Sequence, residues 1–127
     1  MKRLYIAYSL LLITAAVCIF SIFYLVKGAD TLIEQLEDVK SSFSKKESPD
    51  IINEKLTAIE KKWEKNHHTF AFFCPHYEIH EIDIIIKSLK DYYKSNEEGD
   101  FTAYSDVAIA RLTQLKENEL PTLANIL

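Results

Sequence analysis

The chain has 127 residues, with 15 Lys+Arg against 19 Asp+Glu, two cysteines, two glycines and three prolines. That length holds one domain and excludes a second once a membrane anchor is set aside. The acidic balance excludes a surface built to neutralise a phosphate backbone, so nucleic acid is not an expected partner.

From the N-terminus, Leu4 to Val26 is a run of 23 residues without a charge. As a helix it reaches roughly 35 Å, enough to cross a ~30 Å hydrocarbon core with some tilt. Tyr5, Tyr8 and Tyr24 lie near its two ends, where interfacial aromatics belong. Lys2 and Arg3 precede the run, and Lys27 alone follows directly. The excess of basic residues before the run puts the N-terminus in the cytoplasm and the remainder outside. Lys27, Lys40, Lys45 and Lys46 weaken that bias. The expected organisation is a tip and transmembrane anchor over 1–27 and an extracytoplasmic helical domain over 28–127, in a single-pass protein of the cell membrane. The competing reading is a cleaved signal peptide, with Val26 and Gly28 as small residues around the cleavage site. The run is long for a signal peptide, whose apolar part spans about 7–15 residues. Residues 1–27 hold three bases and no acids, leaving 12 against 19 outside, a net charge of −7. Adhesion of such a domain to the outer lipid surface is not expected.

Leu32, Leu36, Val39 and Phe43 continue helical spacing out of the anchor, interrupted only by Gly28, and predict one helix from the membrane to about Phe43. Ser48-Pro49-Asp50 reads as an N-cap, a proline at the first helical position and an acid in the first turn. The second helix buries Ile52, Leu56, Ile59 and Trp63 and fades around His67 to Phe70. Phe72-Phe73-Cys74-Pro75 reads as a turn. The third helix buries Ile79, Ile82, Ile86, Leu89 and Tyr93. Its β-branched run Ile82 to Ile86, interrupted only by Asp83, would suit a strand by local propensity, but the flanking period favours helix. Gly99 is placed as the C-cap and Asp100 as the next N-cap. A fourth helix holds Phe101, Tyr104, Ala108, Leu112 and Leu115 in register and ends at Pro121. Short connections between amphipathic segments make an antiparallel three- to four-helix bundle the expected all-α architecture.

Met1-Lys2-Arg3-Leu4-Tyr5-Ile6, Trp63-Glu64-Lys65, His76 followed by Glu81-Ile82-Asp83, and Leu120-Pro121-Thr122-Leu123-Ala124-Asn125-Ile126-Leu127 together give a pattern. It resembles a group of small bacterial proteins, the domain-of-unknown-function family four-three-six-three. The resemblance spans most of the chain. It implies an anchor followed by helices, and it brings no activity, cofactor or site residue.

Chemistry would have to come from a few residues. His76, His80 and Asp83 stand at i, i+4 and i+7, so a helix puts them on one face. That spacing lets one helix give two imidazoles and a carboxylate to zinc. His67, His68 and Cys74 lie across the turn, where an antiparallel hairpin could complete the set. The plain alternative is a solvated histidine face, with His67 and His68 favoured near a helix C-terminus by its dipole. Glu81 does not stand where the zinc-protease pattern needs it. Cys74 and His76 also suggest a thiol and a base, although side chains two apart do not face each other on a helix. In an oxidising compartment Cys74 would be buried, paired with another chain, or a ligand. No glycine-rich phosphate loop and no nucleophile elbow occurs, so no enzyme is expected.

Trp63, Phe72, Phe73 and Tyr77, with Phe70, crowd the second hairpin. They either seal the end of the bundle or form a partner patch. The leading functional expectation is therefore a membrane-tethered interaction module without a cofactor. Its partner is another protein, a second copy of the chain being one candidate. The alternative is a zinc-binding or thiol-redox protein built on His76, His80, Asp83 and Cys74.

Overall fold

The structure, a computed structural model, describes residues 1–119. It contains four helices: α1 (Lys2–Ser44), α2 (Pro49–Phe73), α3 (His76–Lys94) and α4 (Glu98–Glu119). Helix α1 has 43 residues, about 65 Å at 1.5 Å per residue. No proline interrupts it. The hydroxyls of Thr14 and Thr31 donate to Leu10 O at 2.8 Å and Lys27 O at 3.0 Å, so both find a partner within the helix itself.

Both distal turns end their helices by one device. Lys46 has φ 56°; its N–H donates to Phe43 O at 3.1 Å, and the Glu47 N–H donates to Ser42 O at 3.0 Å. Asn96 also has φ 56°; its N–H donates to Tyr93 O at 3.0 Å, and the Glu97 N–H donates to Tyr92 O at 3.0 Å. These are Schellman caps with a left-handed residue just past the helix. Asn96 thus takes the role expected of Gly99, which lies in the first turn of α4. An asparagine side chain tolerates the left-handed region well enough to do so.

Ser48 is the N-cap of α2 with Pro49 following, as the sequence predicts, but its side chain makes no capping bond. Helix α2 runs past Phe70 to Phe73, further than its fading pattern suggests. Cys74, the residue before Pro75, leaves helical geometry at φ −117° and ψ 153°, and Pro75 follows as the N-cap of α3 at ψ 138°. The steric conflict imposed by a proline reaches back one residue and no further.

The helices run up, down, up and down around one core. Helix α1 packs on α2 and α4, and α3 completes the ring against the same two neighbours. The core holds the expected faces, including Leu32, Leu36, Val39, Ile59, Ile82, Ile86 and Leu112. Two positions on the expected faces differ. Tyr93 is half-buried, and Tyr104 is exposed while Ser105 takes the inward position on α4. Cross-helix ion pairs fix each neighbouring register: Lys55–Asp38 at 3.0 Å, Lys90–Glu60 at 3.2 Å, Arg111–Glu81 at 3.1 Å and Lys116–Asp30 at 2.8 Å. Lys40 also meets Asp106, which raises the lysine pKa chiefly through their hydrogen bond. Partly exposed pairs of this kind contribute about 0–1 kcal/mol each, so burial supplies most of the stability.

Leu25 is the first large side chain of α1 enclosed by the bundle, and residues 1–20 are exposed on every side. The long helix is therefore half core element and half bare apolar shaft. By length and composition it can cross a membrane. Pro121 and the segment from Leu120 to Leu127 lie outside the described residues, as does the expected stop of α4 at Pro121.

Candidate functional site

The second hairpin and the outer face of α3 carry the candidate residues in two groups, and a third group lies across α3 and α4.

The first centres on Trp63, which is 1% exposed. Its indole Nε1–H donates to Asp83 Oδ1 at 2.9 Å, and Lys87 Nζ donates to Asp83 Oδ2 at 3.0 Å. Partial burial alone would raise the Asp83 pKa. The hydrogen bonds from Lys87 and Trp63 outweigh it, with help from the charges of Lys87 and His67, and hold the carboxyl below its ordinary value. The bond to Asp83 in turn raises the Lys87 pKa. A shallow groove of about 320 Å³ lies over this group, lined by Trp63, Glu64, His67, His68, Asp83 and Lys87. Both oxygens of Asp83 thus face α2 and Lys87. His76 and His80 are exposed on α3, Cys74 is buried at the turn, and among the described residues no three His, Cys, Asp or Glu side chains form a group that could hold a metal ion.

The second group is the hairpin tip. Trp63 and Phe70 are stacked with ring centroids 5.6 Å apart and lie inside the core. Phe73 is half-buried against that core, whereas Phe72 is 83% exposed and Tyr77 is 65% exposed. The aromatic hairpin therefore divides: Trp63 and Phe70 seal the bundle, and Phe72 and Tyr77 project from it.

The third group was not legible as a site. On α3, Glu81, Ile84, Ser88 and Tyr92 recur at helical spacing outside the buried phase, and on α4 Tyr104, Val107 and Arg111 do the same. The two stripes are joined where Arg111 meets Glu81 at 3.1 Å and where Tyr92 stacks on Tyr104 at 4.9 Å. Ile84, Tyr104 and Val107 are exposed. The available signal was Ile84, an isoleucine out of phase with Ile79, Ile82, Ile86 and Leu89.

The profile of the family described as Domain of unknown function (DUF4363) matches residues 19–126. The chain belongs to this family. The DUF4363 region begins at Ile19, inside the uncharged run, so it takes in the C-terminal end of the apolar shaft as well as the bundle. No curated protein and no solved structure matches the chain.

Proposed function

We propose that this DUF4363 protein is a membrane-tethered interaction module: α1 anchors it through Leu4 to Val26, and the acidic bundle stands outside the membrane and binds another protein. One observation carries the reading, the exposure of every side chain from Leu4 to Phe20 around the full circumference of α1. A soluble monomer rarely leaves a continuous apolar surface of that size in water, whereas a bilayer solvates it and the helix satisfies its own backbone. Lys2 and Arg3 favour a cytoplasmic N-terminus. The protein-binding face is the pair of stripes on α3 and α4. There Ile84, Tyr104 and Val107 supply an apolar centre between Glu81, Arg111 and Tyr92, the arrangement of an interface with an apolar middle and a polar rim.

The test is cell fractionation of the full chain. Retention in carbonate-washed membranes, with a mass that includes the N-terminal segment, is the expected result, together with removal of the bundle by protease added to intact cells. A soluble chain whose mass begins near residue 29 would identify a cleaved signal peptide and overturn the anchor.

A further inference from the structure

The antiparallel register of α1 and α2 decides where the second hairpin sits. Asp38 pairs with Lys55 at 3.0 Å. Farther down, a Cβ placed at Gly28 would lie 3.1 Å from Asn66 Oδ1, so Asn66 is level with Gly28. Phe72 is six residues beyond Asn66, about 9 Å along the axis, and is therefore level with Ser21 and Ile22 on α1. Both of those residues are half-buried, as a shaft flanked by the end of the bundle requires. Ile22 stands inside the uncharged run, about 6 Å short of its outer end at Val26. The hairpin tip thus reaches past the level at which α1 turns apolar.

From this we infer that the α2–α3 hairpin is a second contact with the bilayer, in which Phe72 inserts into the interface of the membrane that α1 crosses and Tyr77 lies at its headgroup level. The inference rests on the anchor reading above and adds a fixed posture, with the bundle seated on the lipid rather than swinging on its stalk. The depth of about 6 Å matches that at which interfacial apolar faces bury, about 5–10 Å. Phe72 is exposed where exposure to lipid follows from the register. The charge fits as well. Although the domain is acidic, no Asp or Glu occurs from Lys65 through Tyr77, a stretch that also holds His67, His68 and His76. The hairpin tip itself therefore brings no carboxylate to the lipid before Glu78, whose carboxylate accepts a 3.2 Å bond from the Tyr77 hydroxyl.

Tryptophan depth measurements test the inference on the full-length chain in phosphatidylcholine vesicles with brominated acyl chains. Phe72→Trp is compared with Leu11→Trp in the shaft and Lys94→Trp at the opposite end of the bundle. The native Trp63, buried in the core, is the common background. All three substituted positions are exposed, so the new indoles displace no core contact. Loss of most of the added emission at positions 11 and 72 in brominated lipid, with protection from iodide, and the reverse at position 94, is the expected result. Quenching of Leu11→Trp by bromine while Phe72→Trp is quenched only by iodide would overturn the hairpin contact and leave the anchor standing. Protection of Phe72→Trp from both quenchers would place protein, such as a second copy, over the hairpin and overturn it equally. Failure of bromine to quench Leu11→Trp would remove the anchor and, with it, the inference.

Discussion

The indole of Trp63 and the carboxylate of Asp83 meet at 2.9 Å across the α2–α3 interface. Trp63 is almost wholly enclosed, so its N–H loses its protein acceptor if Asp83 is shortened. A buried donor left unpaired costs about 1–3 kcal/mol. Asp83→Ala is expected to destabilise the bundle by that amount in urea titrations of the full chain in detergent micelles. Asp83→Asn keeps an acceptor oxygen and loses only the partly exposed pair with Lys87, so its cost stays below about 1 kcal/mol. Equal losses in the two variants would show that the indole bond contributes little. The pH dependence has one sign. Because the folded carboxyl titrates below its ordinary value, its contribution is present above about pH 3.9 and is lost as pH falls through the lower folded pKa. Asp83→Asn should therefore flatten the acid limb of the stability profile.

The two glycines are expected to respond oppositely to alanine. A Cβ at Gly28 would sit 3.1 Å from Asn66 Oδ1 and 3.2 Å from its Cγ, while at Gly99 it would meet nothing within 4 Å. Asn66 is buried, and its amide is held by a 2.9 Å bond to Lys62 O, so it has little room to give way. Both glycines lie in helices, where alanine gains about 1 kcal/mol in propensity. Gly99→Ala should raise the unfolding midpoint. At Gly28 overpacking costs about 1–3 kcal/mol and outweighs the gain, so Gly28→Ala should lower it. Combining Gly28→Ala with Asn66→Ala removes the close approach. The double-mutant cycle should show coupling of about 0.5–3 kcal/mol, and simple additivity would refute the contact.

The helices were legible because helical period survives even where local propensity opposes it. Ile82 to Ile86 is β-branched except at Asp83, but Ile79, Ile82, Ile86 and Leu89 share one face, and all four are buried. Relations between helices left no such trace. Nothing local links Trp63 to Asp83, and the spacing that put His76, His80 and Asp83 on one helix face does not reveal that Asp83 leans toward α2. Gly99 was a misleading signal for the same reason: glycine is the common left-handed cap, but the chain turns three residues earlier at Asn96. The exposure of Phe72 beside the buried Phe70 follows from two residues of helical rotation, once α2 is known to continue through Phe73.

His76→Ala with His80→Ala separates the exposed imidazoles from the packed core. Both side chains are solvent-exposed, and surface changes away from special features stay within about 0.5 kcal/mol. The double variant should match the parent in urea unfolding. Calorimetric zinc titration of the full chain should be indistinguishable between the two, since Asp83 is engaged by Trp63 and Lys87. Saturable binding that vanishes in the double variant would restore the metal site to consideration.

The distal turns offer a test of backbone strain at Lys46 and Asn96, both at φ 56°. A side chain in the left-handed region costs roughly 1–2 kcal/mol for an ordinary residue and less for asparagine, whose amide can bond locally. Lys46 is exposed and has no ion-pair partner among the described residues, so its replacement sacrifices no such contact. Lys46→Gly should therefore stabilise the fold, reduced by the extra freedom glycine brings to the unfolded chain, for a net gain of about 0.5 kcal/mol. Asn96→Gly should change stability less, and Asn96→Ala should destabilise by about 1 kcal/mol because alanine has no compensating bond. The discriminating quantity is the order of the unfolding midpoints, with Lys46→Gly above the parent and Asn96→Ala below it. The reverse order would mean that neither turn is held by its left-handed cap.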